Sequence, residues 1–278
     1  MPSSTEPSEI VIRAGGSWTG YWSELWRFRE LFVFLAWRDV KVRYKQMTIG
    51  IGWALIRPLM VMIIFTIVFS RLAKLPSPGD VPYPLLVMAA MLAWQFFASV
   101  MGEGSNSVLT NANLITKVYF PRVIVPASAV VVAFVDLMIS GLLMLGMFIW
   151  YGFLPPVQVL LLPLFLILAL ASALGLGLLL SALTVKYRDF RYIVPFIVQF
   201  GLYVTPVGYS TMSIPVDYRW LFGLNPMVGV IEGFRWCLLG TAYLGDGVLV
   251  ASVVTTALLL VLGFRYFRAT ERQFADTI

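Results

Sequence analysis

Long runs of apolar residues alternate with short polar segments along most of the chain. Six runs reach the length of about 20 residues that a membrane-spanning helix needs. They cover residues 48–69, 85–103, 122–151, 157–185, 193–210 and 248–267. Continuous apolar runs of this length predict helices, because a helix satisfies its own backbone hydrogen bonds inside lipid. The pattern therefore predicts an all-α integral membrane protein with six transmembrane helices.

The segment before the first run has a different pattern. Residues 1–16 form a polar tail, and residues 17–38 predict one amphipathic helix. Its apolar face carries Trp18, Tyr21, Trp22, Leu25, Trp26, Phe32, Val33 and Ala36, and its polar face carries Glu24, Arg27, Glu30 and Arg38. Such a helix lies in the membrane interface, either as a simple anchor or as an anchor that also presents its polar face to a cytoplasmic partner. We therefore divide the chain into residues 1–46, the cytoplasmic tail with its interfacial helix, and residues 47–278, the six-helix transmembrane domain.

Residues 218–240 are apolar, but glycine, proline and charged residues interrupt them. Asn225 suits a helix N-cap and Pro226 suits the first helical turn. Gly240 suits the C-terminal stop of the same helix. The segment therefore predicts two short helices, broken at residues 223–226, that partly enter the outer leaflet. Broken helices survive at that depth only where they are buried in protein or line a cavity.

A short elbow, residues 111–122, joins the second and third spans. Its sequence is NANLITKVYFPR, in which Pro121 stops any helix before the third span. The elbow has a few apolar side chains that a connecting loop does not need. It is therefore either an ordinary loop or a small docking surface.

Charge distribution predicts the orientation in the membrane. Most of the 20 Lys and Arg residues fall before the first span, in the elbow, in the loop between the fourth and fifth spans, and in the C-terminal tail. Because cytoplasmic loops carry the excess of basic residues, both termini are predicted to be cytoplasmic. This rule and contact with anionic lipid account for the net charge of +6, so no nucleic-acid partner is implied. The charged fraction of 12% is about half that of a soluble domain.

Several kinds of chemistry are excluded by composition. The chain has no histidine and a single cysteine, so neither a metal site nor an intrachain disulfide is expected. It contains no G-x-x-x-x-G-K-[ST] phosphate loop, so ATP is not bound by that device. No catalytic residues are assigned, and the chain by itself is not expected to be an enzyme.

Asp136 is the only acidic residue near the middle of a span. An intramembrane acid is a candidate functional residue. The alternative is a structural role, bonded to a neighbouring helix or at a subunit contact. A proton-coupled secondary transporter would have more such acids and an internal repeat. A membrane-embedded glycosyltransferase or scaffold would have an acidic catalytic cluster on a sizeable polar domain.

Four ordered segments resemble a known family. They are RYKQMTIGIGWALIRPL at 43–59, NANLITKVYFPRVIVPAS at 111–128, YRDFRYIVPFIVQFGLYVTPVGYS at 187–210 and LNPMVGVIEGFR at 224–235. Together they resemble the permease subunits of bacterial ABC exporters for surface polysaccharides. The KVYFPR block is more similar to the O-antigen and teichoic-acid exporters than to the capsule exporters. Arg57 departs from the pattern, since many members carry an acid before the proline of the first span.

The resemblance implies a homodimer of six-helix subunits with a polymer channel at the subunit interface. It also implies two copies of a separate ATPase, which bind ATP and Mg²⁺ and engage the elbow and the interfacial helix. The expected function is export of a lipid-linked, O-antigen-like polysaccharide across the bacterial cytoplasmic (inner) membrane. Teichoic acid and capsule are alternative cargoes. The candidate docking residues in the elbow are Asn113, Lys117, Tyr119, Phe120 and Arg122.

Two further sets of residues are candidates for the channel. Arg57 lies near the inner end of the first span, where it either snorkels toward the cytoplasm or lines a wet channel entrance beside a kink at Pro58. Spacings of three and four residues put one set of side chains on a single face of the fifth span. The predicted channel wall consists of this set, Phe196, Gln199, Phe200 and Tyr203, and of Trp94 and Phe97 on the second span. Flat rings with sparse hydrogen-bonding groups suit a sliding sugar polymer, whereas an interfacial aromatic belt and ordinary helix packing are the alternatives.

The short helices on the outer side are predicted to gate the exit of the channel. Asn225, Glu232 and Arg235 are the candidate gate residues. On a helix, Glu232 and Arg235 are neighbours at i, i+3. The alternative is a solvated ion pair at the outer surface, which would contribute little to stability.

Overall fold

The computed structural model describes residues 18–45, 51–241 and 246–274. The predicted polar tail 1–16, the side chain of Trp18 and the predicted start of the first span at residues 48–50 lie outside what is described. The described helices are α1 Trp18–Arg27, α2 Arg29–Lys45, α3 Ile51–Phe65, α4 Tyr83–Thr110, α5 Ala112–Lys117, α6 Ile124–Tyr151, α7 Leu162–Lys186, α8 Phe190–Val204, α9 Arg219–Gly223, α10 Pro226–Leu239 and α11 Asp246–Thr270. A π-helix, Thr66–Leu72, extends α3, and single 3-10 turns lie at Val157–Leu161, Thr211–Ser213, Val216–Tyr218 and Glu271–Gln273. The described part of the chain contains no strand, which agrees with the predicted all-α class.

Five helical segments of the described chain are long and apolar enough to cross a membrane. They are Gly52–Leu72, Tyr83–Thr110, Ile124–Tyr151, Val157–Lys186 and Gly247–Gln273. The predicted all-α integral membrane fold is therefore confirmed, but the count of six spans is not. The remaining predicted span corresponds to α8, which has only 15 residues. A helix of this length extends about 22 Å, less than the hydrocarbon thickness of about 30 Å.

The early end of α8 has a local cause that the apolar pattern hides. Residues 193–210 predict one continuous span, yet α8 stops at Val204 and Thr205 is extended, with φ −83° and ψ 141°. Pro206 follows directly. A proline lacks the amide proton that a helix needs and disfavours helical dihedrals in the preceding residue. By contrast, α3 continues through Pro58.

The N-terminal region is two helices instead of the predicted single helix over 17–38. α1 and α2 meet at Phe28, and α2 continues to Lys45. The predicted apolar face is also divided, because Tyr21 and Ala36 are buried whereas Trp26 and Val33 are exposed. Contact with α6 and α11 selects which apolar side chains are covered, and the sequence periodicity of the helix does not contain that information.

α4 is the central helix of the fold. In the most apolar 18-residue stretch of this helix, 78% of the residues are buried. The corresponding stretches of the other four long helices are 17–28% buried. α6 and α7 pack along most of its length, and α3, α8 and α10 contact it as well. A second apolar cluster closes the end of the bundle next to the elbow, where Leu35, Phe120, Leu178 and Phe267 meet.

α7 and α11 cross at two glycines. A Cβ added to Gly263 would lie 2.0 Å from the carbonyl oxygen of Gly175, and a Cβ added to Gly175 would lie 2.6 Å from the backbone nitrogen of Leu260. Small residues allow membrane helices to approach this closely, so that backbone atoms pack directly. Near the crossing, the hydroxyls of Ser172 and Thr256 lie 3.3 Å apart.

The broken helical segment at residues 218–240 agrees closely with its sequence prediction. α9 ends at Gly223 and α10 begins at Pro226. The side chain of Asn225 accepts a hydrogen bond of 3.0 Å from the backbone amide of Met227, as expected of an N-cap. Gly240 ends α10 with φ +66°, a conformation that favours glycine. Most side chains of α10 are buried in the bundle.

Candidate functional site

Glu232 and Arg235 form an ion pair inside the protein. The Arg235 Nη1 atom lies 3.1 Å from Glu232 Oε1, as their i, i+3 spacing predicts. The two side chains are only 1% and 6% exposed. The alternative of a solvated outer pair is therefore wrong. Two buried charges are tolerated only when hydrogen bonds satisfy the rest of each group.

The guanidinium group of Arg235 donates hydrogen bonds to three backbone carbonyls. Nε donates to Leu86 O at 3.3 Å, Nη1 to Tyr209 O at 3.0 Å and Nη2 to Val207 O at 2.9 Å. The Glu232 carboxylate also accepts a hydrogen bond from the Thr211 hydroxyl. The ion pair of α10 thus binds both α4 and the irregular chain that follows α8.

We refer to that irregular chain, residues 205–211, as the outer segment. Besides the ion pair, the amide of Asn225 donates to the Thr205 hydroxyl at 2.9 Å. The hydroxyl of Tyr83 donates to Gly208 O at 2.6 Å. A Cβ at Gly208 would lie 2.4 Å from the ring of Phe69, so the chain passes this ring closely. The predicted gate residues therefore hold the outer segment against α4 and α10, and the ring of Phe69, in the π-helix that extends α3, packs against it.

The predicted wall on α8 is an exposed helical face. Its members Phe196, Gln199, Phe200 and Tyr203 are all exposed. The rings of Phe196 and Phe200 stack, with centroids 5.6 Å apart. On the opposite side, Val194 is buried. The face thus combines flat rings with one amide and one hydroxyl, while its role in transport stays a prediction.

Trp94 and Phe97 lie inside the helical core and not at an open surface. Each is 5% exposed, and their ring centroids are 5.4 Å apart. A Cβ on Gly201 would lie 2.7 Å from Trp94 Cη2, so the indole also fills the space between α4 and α8. The prediction that they add a second aromatic surface is corrected accordingly, because neighbouring helices cover this side of α4.

The open side of α4 is a different face, which the sequence analysis did not select. Gln95, Ser99, Gly102 and Asn106 are partly exposed, and Glu103 is exposed. Spacings of three and four residues place them on one face. The spacing of these polar residues within an apolar run could have identified this face from the sequence. The predicted channel wall was based instead on the nearby aromatic residues.

Asp136 is bonded to a neighbouring helix. Its Oδ2 lies 2.7 Å from Arg43 Nη2, and its Oδ1 accepts a hydrogen bond from the Tyr44 hydroxyl. Arg43 Nη1 also lies 3.4 Å from Glu103 Oε1. The α2 side chains thereby connect α6 to α4. Burial raises the pKa of Tyr44, and its hydrogen bond to Asp136 adds to the rise, so this phenol remains a donor at neutral pH.

The elbow contains α5 and presents only part of the predicted docking set. Asn113, Lys117 and Tyr119 are exposed and Arg122 is partly exposed. Phe120 is 3% exposed and packs into the second apolar cluster, beside the elbow, so it cannot contact a partner directly. Its effect is to anchor the elbow, because it fixes the chain beside the exposed Tyr119.

α1 and the end of α11 lie beside the elbow. The Tyr21 hydroxyl donates to Glu271 Oε2 at 3.3 Å, and the Arg268 guanidinium lies 4.1 Å from the centroid of the Tyr21 ring. Partial burial raises the pKa of Tyr119, with smaller contributions from the nearby Glu24 and Glu271 carboxylates. Three elements separated in sequence therefore form one surface at this end of the bundle.

Arg57 is exposed on α3, while the adjacent Pro58 is buried. The position is compatible with either predicted role, a snorkelling side chain or a wet channel entrance. Among the residues that the structure describes, no three His, Cys, Asp or Glu side chains are grouped so that they could hold a metal ion.

These features describe a multi-pass, all-helical membrane protein. The outer segment is hydrogen-bonded at one end of the bundle, and the elbow, α1 and the end of α11 form a composite surface at the other end. The model of the family "ABC-2 type transporter" matches residues 30–239. Since this match covers well over half of the chain, the protein belongs to the ABC-2 type transporter family.

The chain is also similar to individual proteins along most of its length. The chain is 27% identical over 257 residues to the O-antigen export system permease protein RfbA of Myxococcus xanthus, covering 92% of this chain and 98% of the relative. It is 25% identical over 250 residues to the RfbA protein of Klebsiella pneumoniae, covering 90% and 95%. The polysialic acid transport protein KpsM of Escherichia coli is 22% identical over 237 residues, covering 84% and 91%.

Proposed function

We propose that this chain is the channel-forming membrane subunit of an ATP-driven exporter. The cargo is a lipid-linked surface polysaccharide of the O-antigen type, moved from the cytoplasm across the bacterial cytoplasmic membrane. The observation that carries the proposal is the similarity to O-antigen export permeases over nearly the full length of both chains. The distribution of basic residues supports cytoplasmic positions for both termini.

The active unit in this proposal is a homodimer with the channel between two copies. The exposed face of α8 supports it, because rings and sparse polar groups fit the apolar faces and hydroxyl rims of sugars. Gln199 and Tyr203 supply hydrogen-bonding groups on that face. Many weak contacts of this kind allow a polymer to slide.

Energy comes from two copies of a separate ATPase, which bind ATP and Mg²⁺. The composite surface supports their docking at the elbow, where Asn113, Lys117 and Tyr119 are exposed. α1 and the end of α11 lie beside these residues and extend the available area. Phe120 holds the elbow in place from within the core.

The outer segment and its hydrogen bonds to α10 form the exit gate. Asn225, Glu232 and Arg235 hold this segment in the closed arrangement. Opening requires that hydrogen bonds to buried charged groups be replaced by others, since an unpaired buried charge is costly.

Complementation tests the proposed function. The gene and that of its partner ATPase are expressed in a bacterium whose own O-antigen export permease and ATPase genes are deleted, and surface polysaccharide is measured by immunoblotting of cell-surface extracts. We expect polymer on the surface only when both genes are present and the ATPase can hydrolyse ATP. Polymer that accumulates inside cells expressing both intact proteins, with a range of O-antigen structures tried, would reject the proposal.

A capsule polysaccharide is the second candidate cargo, and the similarity to KpsM favours it. The same complementation in a capsule-export mutant separates the two. Restored capsule without restored O-antigen would assign the chain to the capsule class.

A further inference from the structure

Helix α2 is hydrogen-bonded to the first residue of the elbow. Arg38 Nη2 donates to Asn111 Oδ1 at 2.8 Å, although the two residues are 73 positions apart in the chain. The same guanidinium donates to Asp39 Oδ1, from Nη2 at 2.7 Å and from Nε at 2.9 Å. Because these two bonds to one carboxylate fix the plane of the guanidinium, Arg38 holds a defined orientation between α2 and the elbow.

Asn111 is the joint between α4 and α5. It is the C-cap of α4 and the N-cap of α5, and it is buried. Its Nδ2 donates to Ser107 O at 2.9 Å, and its backbone oxygen accepts from the amides of Leu114 at 3.0 Å and Ile115 at 3.1 Å. Both polar groups of the side chain are thus bonded. A displacement of the elbow must therefore break the bond to Arg38 or carry α2 along.

Asp39 extends this connection to α6. The Ser128 hydroxyl, which donates to Val125 O at 2.8 Å, also lies 3.2 Å from Asp39 Oδ2. Ser128 is 2% exposed, so the α6 side of the contact is closed to water. Two adjacent residues of α2 therefore contact the elbow and α6 at the same level.

A second connection lies about one turn further along α2. Arg43 lies 2.7 Å from Asp136 of α6 and 3.4 Å from Glu103 of α4. On α4, Glu103 lies eight residues before Asn111, and on α6, Asp136 lies eight residues after Ser128. Each interval is about 12 Å along a helix. Since α2 contacts both helices at two levels, the three elements are arranged to move together.

These charged contacts are specific in geometry but contribute little to stability. The side chains of Arg38 and Asp39 are 38% and 29% exposed, and solvent weakens the attraction within such a pair. Packing of α2 on the bundle depends instead on buried apolar residues, Leu35 and Ala36. Removal of the Arg38 side chain therefore separates its geometric role from the stability of the fold.

We propose that Arg38 is a positioning residue for transport: it fixes the elbow to α2, so that displacement of the elbow by the ATPase moves α2 and, with it, α4 and α6. This inference rests on the proposed export function and deepens it. Hydrogen-bond networks that join rigid helices can carry energetic coupling between distant sites. Without the bond from Arg38 to Asn111, the elbow can move while α2 stays in place, so ATP is hydrolysed without moving the polymer.

The ratio of exported polymer to hydrolysed ATP tests this role. The variant is Arg38→Leu, which removes the hydrogen-bond donors and keeps apolar bulk. Hydrolysis is measured on the full chain with its ATPase in lipid nanodiscs, and surface polysaccharide is measured in complemented cells at matched protein levels. We expect about half or more of the wild-type hydrolysis rate but about fivefold less exported polymer, because a charge-assisted hydrogen bond is lost. The unfolding midpoint should stay within about 4 °C of the wild type.

Lys41→Leu is the matched control. It makes the same change of charge at an exposed position of α2, where the Lys41 ammonium lies 5.3 Å from the centroid of the Trp37 ring. Export and hydrolysis by this variant should both equal those of the wild type.

Asn111→Ala gives an independent measurement, because it removes the acceptor and leaves Arg38 in place. It should lower the ratio as Arg38→Leu does, and the double variant should lower it no further, since both changes remove the same bond. Arg38→Lys keeps the charge and should restore part of the ratio.

Three results would overturn the inference. The first is a wild-type ratio in both Arg38→Leu and Asn111→Ala. The second is a parallel loss of export, hydrolysis and unfolding midpoint, which would assign Arg38 a structural role. The third is a double variant whose loss is the product of the two single losses. Failure of the unmodified chain to export any polysaccharide would overturn the proposed function, and with it this inference.

Discussion

Arg235 stabilises the fold through three backbone carbonyls as well as through Glu232. Arg235→Ala leaves the Glu232 carboxylate buried without its partner, so we expect a loss of about 3–5 kcal/mol of stability. The measurement is the midpoint of thermal unfolding of the purified protein, followed by size-exclusion chromatography.

Arg219 offers a matched control for that change. It also donates to two backbone carbonyls, those of Ile214 and Met212, but its contacts are closer to the surface. Arg219→Ala should lower the midpoint much less. Equal losses from the two variants would show that the Glu232–Arg235 pair does not carry the stabilisation.

The contact between Arg43 and Asp136 is measured by a double-mutant cycle. Both side chains are partly exposed, so solvent weakens their attraction. We expect Arg43→Ala and Asp136→Ala to be non-additive, with a coupling energy of about 1–2 kcal/mol in thermal unfolding. A coupling energy of zero would mean that the Arg43–Asp136 pair does not help to hold α2 against α6.

At the scale of elements, the crossing of α7 and α11 depends on the absence of side chains. Gly263→Ala places a methyl group on the Gly175 carbonyl, so the helices must separate. We expect destabilisation of about 1–3 kcal/mol, the usual effect of overpacking. Gly146→Ala on α6 is the control, because nothing lies within 4 Å of its added Cβ. If both variants unfold at the same temperature, the crossing is not closely packed.

In the elbow, a structural residue, Phe120, is adjacent to a proposed docking residue, Tyr119. Phe120→Ala removes a buried ring and should cost about 3–5 kcal/mol of stability. Tyr119→Ala removes an exposed ring, so the unfolding midpoint should stay near that of the wild type while binding of the ATPase weakens. Co-purification of the ATPase with each variant measures the second effect. Unchanged ATPase binding by Tyr119→Ala would place docking elsewhere on the surface.

At the scale of the whole molecule, the exposed face of α8 is the proposed wall of a channel between two copies. Phe200→Leu and Tyr203→Leu keep apolar bulk and remove the rings. If the face contacts sugars, each variant should fold normally and export more slowly by several-fold. Trp150→Leu is the control, since it removes an exposed ring from α6, outside the proposed path. Equal export by all three variants would leave helix packing as the explanation of the α8 pattern.

Local backbone chemistry made part of this molecule predictable from its sequence. The N-cap at Asn225, the break before Pro226 and the stop at Gly240 each depend on residues within one turn. The same holds for the stop at Pro121 and the i, i+3 ion pair. Long apolar runs determined the membrane class, because only an apolar segment that satisfies its own backbone hydrogen bonds is stable in lipid.

Which face of each helix is covered was decided only by the tertiary structure. A membrane helix is apolar toward both lipid and neighbouring helices, so its sequence has no strong periodicity that marks the buried side. Trp94 and Phe120 are therefore buried although their residue types suit a surface role, and Gln95 and Ser99 lie on the open side of the central helix. The partners of Asp136 come from α2, 92 and 93 residues away in the chain for Tyr44 and Arg43. Contacts over such distances depend on how the helices pack together, and no local pattern encodes them.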